Sequence, residues 1–155
     1  MPPELYVSTH VHIDGPIPGP HSLLTLAAVA HAADGGPITT FAATLRELPG
    51  ATPHPATLAI WRSRPEEWLS TRRASRPPAP VIADLDRWVR ELPGRATLVT
   101  DPHDPDHLFL YWYLQRFAGR WPFARTIADP GIAARFDPSG HCFLAGCRQQ
   151  QLQAA

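Results

Sequence analysis

The chain contains no lysine and no asparagine, only one methionine and only two cysteines among its 155 residues. All 14 basic residues are therefore arginines, and they balance 14 acidic residues. This balance argues against binding nucleic acid by bulk electrostatic attraction, so any phosphate contact has to be local. The sequence also lacks an apolar run of about 18 residues, which a membrane span needs, and a basic-then-apolar N-terminal secretory signal. We therefore expect a cytoplasmic protein with no membrane partner.

The two cysteines, Cys142 and Cys147, lie in a segment with helical character. At their spacing they do not face each other as a disulfide requires, and the spacing matches no zinc-binding pattern. We expect free thiols in a reducing compartment. A chain of 155 residues, 44% of them hydrophobic, is expected to form one domain over residues 1–148, followed by a frayed glutamine-rich tail at 149–155.

Three consecutive segments near the N-terminus have the composition of β-strands. Residues 4–13 carry β-branched and aromatic side chains in near alternation, and the run 14–20 then breaks any regular element. Residues 22–32 fit a helix or a strand by apolarity alone. The turn residues at 34–37 and the threonine-rich run 38–45 that follows favour a hairpin. We therefore predict three antiparallel strands in sequence.

The rest of the chain alternates helices with short extended segments. The predicted elements are short helices beginning at Pro55 and Pro65, a basic proline-rich linker at 72–80, a helix over 81–92, a strand at 96–100, an aromatic helix over 107–117 with Asp106 as its N-cap, an extended piece at 126–129 and a final helix from His141. Three antiparallel strands followed by helices and one or two further strands predict an α/β fold with a mixed sheet flanked by helices.

His10 and His12 are the most informative pair of residues in the first strand. Because side chains alternate across a strand, two histidines two residues apart point to the same face. Such a pair has the geometry to hold one metal ion, although a His-x-His on a strand is also a common arrangement of surface or core histidines. Both interpretations stay open from the residues alone.

Two other clusters are candidates for binding nucleic acid. Arg72, Arg73 and Arg76 form the only concentrated basic segment, which would either grip phosphates or serve as a solvated linker. The run Tyr111–Tyr113 has the aromatic content of a base-stacking surface, but its helical context favours the hydrophobic core.

Several strings in fixed order carry a resemblance to a known family. The first strand and turn read Val-Ser-Thr-His-Val-His-Ile-Asp-Gly-Pro-Ile-Pro-Gly, from Val7 to Gly19. Further strings are Ala56–Trp61, Arg64–Trp68, Leu110–Leu114 after Asp106, and Ala128–Asp129. Together they resemble the RNase H-like 3′–5′ exonucleases of the DEDDh type, over residues 5–148. The related opening reads Val-Ser-Thr-Asp-x-Glu-x-Asp-Gly-Pro-Ile-Pro-Gly, so this chain differs from it at both metal ligands.

The resemblance implies a site of four carboxylates and one histidine. His10 stands where the first Asp belongs and His12 where the Glu belongs. Asp106 matches the second Asp, and His141 matches the general base. The last carboxylate is expected at position 146, which is Gly146. Three of the four acidic ligands are therefore replaced.

These replacements change the metal that the site would prefer. The family uses two Mg²⁺ or Mn²⁺ ions, which require oxygen ligands, so the ligand changes disfavour them. Imidazoles favour transition metals such as Zn²⁺, and His10, His12 and Asp106 would supply two nitrogens and one oxygen. Asp14 is a further oxygen donor if the strand extends that far.

Three functions follow as hypotheses. The first is an exonuclease-like domain with a degenerate metal site, catalytically impaired, that binds single-stranded nucleic-acid 3′ ends or a protein partner. The second is an active transition-metal-dependent nuclease or phosphohydrolase, in which His141 activates water for a metal held by His10, His12 and Asp106. The third is a structural or oligomerising module, for which a homodimer is a candidate.

Overall fold

The strand predicted at residues 4–13 lies at the centre of a five-stranded mixed sheet. The computed structural model describes residues 2–136. Strand β1 (Glu4–Ile13) pairs antiparallel with β2 (Leu23–His31), which pairs antiparallel with β3 (Pro37–Thr44). On its other side β1 pairs parallel with β4 (Arg95–Thr100), and β4 pairs parallel with β5 (Arg125–Ala128). The order β3-β2-β1-β4-β5 confirms three antiparallel strands followed by two further strands.

Five helices accompany the sheet in the described part of the chain. They are α1 (Pro55–Arg62), α2 (Pro65–Arg73), α3 (Pro78–Arg90), α4 (Asp106–Phe117) and α5 (Pro130–Arg135). Four of them begin with proline, whose fixed φ suits the first helical turn and whose missing N–H is not needed there. The linker predicted over 72–80 is shorter in the structure, where residues 74–77 connect α2 to α3. Arg72 and Arg73 form the last turn of α2, and the prolines from Pro78 onward start α3.

The core lies between one face of the sheet and helices α3 and α4. On this face of β1, Leu5, Val7 and Val11 are buried in one cluster with side chains of both helices. Tyr113 of α4 reaches β2, where its hydroxyl accepts a hydrogen bond from the Leu23 amide at 2.8 Å. Burial in the core raises the pKa of Tyr113 to about 12. The helix is therefore fixed against the sheet.

The other face of β1 carries its even-numbered residues. Tyr6 stacks on Phe136 with ring centroids 4.9 Å apart, and Ser8 Oγ lies 3.2 Å from His31 Nε2. Helix α1 covers the far end of the strand through Trp61. His10 lies between these two covered regions, where the sheet opens to solvent.

The described range ends before the predicted C-terminal helix and tail. No helix within residues 2–136 has the length and apolarity needed to cross a membrane. His141, Gly146, both cysteines, the predicted final helix and the predicted tail lie outside the described residues.

Candidate functional site

A cleft of about 1370 Å³ opens where β1, β4 and β5 reach their carboxyl ends. Clefts at the carboxyl ends of parallel strands are common ligand sites in α/β folds, because loops and helix N-termini converge there. Side chains from β1, α1, the β4–α4 loop, α4, β5 and α5 line it. Its polar and titratable residues are Ser8, Thr9, His10, His54, Thr57, Thr100, Asp101, His103, Asp104, Asp106, His107 and Thr126.

The structure places His10 and His12 on one face of β1, as the spacing predicts. Their ring centroids are 5.9 Å apart, with the planes inclined by 77°. The two side chains nevertheless have different surroundings. His10 is half-buried and lines the cleft, whereas His12 is 3% exposed and is absent from the lining. The His12 imidazole instead packs edge-on against the Trp61 indole at 5.6 Å.

Asp106 lies in the cleft wall at the start of α4. It was predicted to be the N-cap, and this is wrong, because Pro105 occupies that position and Asp106 begins the helix itself. Burial raises the pKa of the Asp106 carboxyl well above its ordinary value, and the negative charge of Asp104 raises it further. The pKa of the Asp106 carboxyl in the cleft is therefore above that of a carboxyl in water.

Asp104 is a cleft residue that sequence reasoning placed only in a turn. The Asp104 side chain is exposed, but partial desolvation in the cleft and the nearby Asp101 carboxylate raise its pKa, while attraction to His10 and His103 lowers it. Asp104 thus lies within electrostatic range of His10, on the loop that leads from β4 to α4. Only the run of aspartates before the aromatic helix signals this proximity in the sequence.

Asp14 serves the turn after β1. Its carboxylate accepts a hydrogen bond from the Ser22 amide at 2.6 Å, and burial raises its pKa. Gly15 follows at the cleft rim, where an added Cβ would lie 2.2 Å from the His21 ring. The glycine at position 15 is therefore explained by the close approach of the backbone to the His21 ring.

The three arginines predicted as a phosphate-binding segment lie away from the cleft lining. Arg72 donates to the backbone carbonyls of Leu45 at 2.8 Å and Leu24 at 3.2 Å, and pairs with Glu47 at 2.7 Å. Arg76 pairs with Asp84 at 3.3 Å, and Arg73 is exposed at the end of α2. In this arrangement Arg72 joins α2 to the sheet.

The described residues do not fit a pair of Mg²⁺ ions. Within residues 2–136, no three His, Cys, Asp or Glu side chains lie close enough together to hold a metal ion. His10 and Asp106 line the same cleft, but His12 is buried behind Trp61 and is absent from the lining. A magnesium site needs several ionised oxygen ligands, and this set supplies mainly imidazoles.

No protein-family model and no curated protein sequence matches the chain. Solved structures of exonuclease I do match its fold. Exonuclease I from Methylocaldum szegediense, described as moderately thermophilic, superposes with a TM-score of 0.64 at 12% identity, covering 83% of this chain and 28% of the other. E. coli exonuclease I in complex with a dA13 oligonucleotide gives 0.63 at 13% identity, covering 81% and 28%. A zinc-bound E. coli exonuclease I complex with single-stranded DNA gives 0.61 at 14% identity, covering 79% and 27%.

These matches establish the fold. The mixed sheet and its flanking helices have the RNase H-like arrangement of the exonuclease I structures, which confirms the predicted fold class. The chain spans little more than a quarter of the length of those exonuclease I chains.

Proposed function

We propose that this chain is an exonuclease-like domain that holds the end of a single-stranded nucleic acid in the cleft without hydrolysing it by a two-metal mechanism. The main support for this proposal is that an exonuclease-like fold has a cleft at the expected place but different side chains in it. His10 and Asp106 line the space where the resemblance expects a carboxylate cluster, while His12 is packed under Trp61.

The loss of two-metal hydrolysis follows from ligand charge. Two divalent cations at one phosphate need several carboxylates to offset their dehydration. His10 and His12 bring no negative charge, which leaves Asp106 as the single carboxylate among these three positions. Position 146, where the resemblance expects another carboxylate, is Gly146.

The size and openness of the cleft support binding of a flexible strand. A volume of about 1370 Å³ exceeds the range of about 300–1,000 Å³ that is typical of small-molecule pockets. Three of the matching exonuclease I structures contain an oligonucleotide or single-stranded DNA. No arginine occurs in the cleft lining among residues 2–136, so phosphate contacts contribute little and the bases supply most of the affinity.

The test is fluorescence anisotropy with a labelled single-stranded oligonucleotide over a salt series. We expect binding with a shallow salt dependence, with a slope of log K against log salt between about 0 and −2, because each phosphate contact on a single strand contributes about −0.7. Double-stranded oligonucleotides of the same sequence are expected to bind more weakly.

Two tryptophan variants provide a matched control. Ala134→Trp places a bulky ring in the cleft lining, whereas Ala42→Trp places it on exposed β3. The first is expected to weaken binding at least about tenfold and the second to leave it unchanged. If the wild-type chain binds no single strand even at low salt, the proposal is wrong, and a protein partner or self-association becomes the function to test.

The transition-metal hypothesis is a second candidate, which the proximity of His10 and His12 favours. Ring centroids 5.9 Å apart are compatible with two imidazoles that rotate onto one ion. The absence of a three-ligand group within residues 2–136 requires His12 or Asp106 to move for such binding. Untagged protein that contains about one transition ion per chain would support this candidate, and metal-free protein that also ignores added Zn²⁺, Ni²⁺ and Mn²⁺ would exclude it.

A further inference from the structure

Three rings form a cluster on the outer side of α4, which we call the outer aromatic cluster: His107, Tyr111 and Trp121. His107 and Tyr111 lie one helical turn apart and stack with centroids 6.4 Å apart and planes inclined by only 19°. Trp121, beyond the end of the helix, contacts both rings at 5.5 Å. The three rings are therefore in mutual contact.

Tyr111 is the exposed member of the cluster, whereas His107 and Trp121 are half-buried. Tyr111 is 48% exposed, which corrects the expectation that this aromatic run belongs wholly to the core. The opposite face of α4 carries the fully buried Phe109 and Tyr113. Trp121 leans on the buried Phe123 at 5.0 Å. Rings held in this way lose little conformational freedom when they bind a partner.

The cluster is continuous with the cleft. His107 belongs both to the cluster and to the cleft lining, and its neighbour Leu108, which is 51% exposed, also lines the cleft. A strand whose end lies beside His10 and Asp106 would leave the cleft along this side of α4. Its next bases would then meet the rings of Tyr111 and Trp121.

We infer that the outer aromatic cluster stacks the unpaired bases of the single strand whose end occupies the cleft. This inference rests on the proposed function and specifies where the affinity comes from. Flat aromatic faces stack on any base, which provides binding without sequence preference and without positive charge. A chain with balanced charge and no arginine in the described cleft lining needs this kind of contact to hold a strand.

The first arm of the test leaves the protein unchanged. Wild-type protein is titrated with a labelled single-stranded oligonucleotide of normal bases and with the same backbone carrying abasic residues upstream of its 3′ end. The normal strand is expected to bind between about 5-fold and 100-fold more tightly than the abasic strand, the range that one stacked base supplies. Equal affinity for the two strands would overturn the inference while leaving the proposed function standing.

The second arm compares substitutions of Tyr111. Tyr111→Ala and Tyr111→Leu are expected to weaken binding of the normal strand about 5-fold or more, and Tyr111→Phe is expected to bind like wild type, because stacking needs the ring and not the hydroxyl. Leu69→Ala is the control, because Leu69 is 49% exposed and lies outside the cleft lining. A Tyr111→Leu variant that binds the normal strand as tightly as wild type would overturn stacking.

Self-association of the chain and a complete absence of strand binding are two further outcomes that test the inference. Sedimentation of the same variants shows whether the cluster instead holds a second copy of the chain. Loss of self-association in Tyr111→Ala with unchanged oligonucleotide affinity would overturn the inference. Failure of the wild-type chain to bind any single strand would overturn both the inference and the proposed function, whereas a failure confined to the abasic comparison affects the inference alone.

Discussion

The imidazole of His12 packs edge-on against the indole of Trp61, with ring centroids 5.6 Å apart and planes inclined by 76°. The contact extends on both sides, since His10 lies 5.9 Å from His12 and Trp68 lies 5.4 Å from Trp61. His12 therefore lies inside a cluster of edge-on ring contacts beneath α1, whereas His10, at the end of that cluster, lines the cleft. This difference indicates separate roles for residues that the sequence presents as a pair.

The two histidines are expected to differ in their contribution to stability. His12→Ala removes a buried ring from contact with Trp61 and is expected to lower the free energy of unfolding by about 2–3 kcal/mol. His10→Ala, at a half-buried cleft position, is expected to lower it by less than about 1 kcal/mol. Urea denaturation measures both values, and equal losses would contradict the separate roles.

The stability of the protein is expected to depend on pH through Asp106. Its raised pKa means that the folded state holds the proton more tightly than the unfolded chain does. The stabilisation is then fully present below the ordinary carboxyl pKa and is lost as the pH rises through the folded-state pKa.

The Asp106→Asn variant has no titrating group at this position. Wild type is therefore expected to become progressively less stable relative to the variant as the pH rises from about 4. Denaturation at several pH values tests the sign. A wild type whose stability increases relative to that of the variant as the pH rises would contradict the raised pKa of Asp106.

Arg72 is expected to stabilise the fold and to contribute nothing to oligonucleotide affinity. Its guanidinium bonds the carbonyls of Leu45 and Leu24 and lies over Trp68 at 5.1 Å. Arg72→Ala removes both hydrogen bonds and leaves the Leu45 carbonyl without this donor, while the Leu24 carbonyl keeps its bond from the Leu45 amide, and a loss of about 2 kcal/mol is expected. Arg73→Ala, at an exposed position, is the matched control, with an expected change within about 0.5 kcal/mol. Weaker strand binding in a fully folded Arg72→Ala variant would restore a phosphate-binding role.

Much of the fold follows from local sequence, whereas the site depends on distant contacts. Alternation in residues 4–13 predicted β1, and prolines marked the starts of helices correctly at Pro55 and Pro65. Nothing near His12 indicates that Trp61 covers it. These contacts join elements that are far apart in the chain, and single-sequence periodicity carries no information on them.

Restoring carboxylates tests the correspondence on which the degenerate site depends. The triple variant His10→Asp, His12→Glu, Gly146→Asp is expected to gain Mg²⁺-dependent removal of nucleotides from a single strand, because it supplies the oxygen ligands that two ions need. Gel analysis of the products measures this gain. The same triple variant with Asp106→Asn is the control and is expected to stay inactive. A triple variant that folds but remains inert would count against the correspondence.

The most direct test of binding without hydrolysis follows the anisotropy of a 3′-labelled single-stranded oligonucleotide over time. Wild-type protein is added in the presence of a chelator, and Mg²⁺ is then supplied in excess. We predict that the anisotropy rises when protein is added and stays constant after Mg²⁺ is added, because the strand is held and left intact. A fall after Mg²⁺ addition, as labelled nucleotide is released, would contradict the loss of two-metal hydrolysis, and an anisotropy that never rises would contradict strand binding.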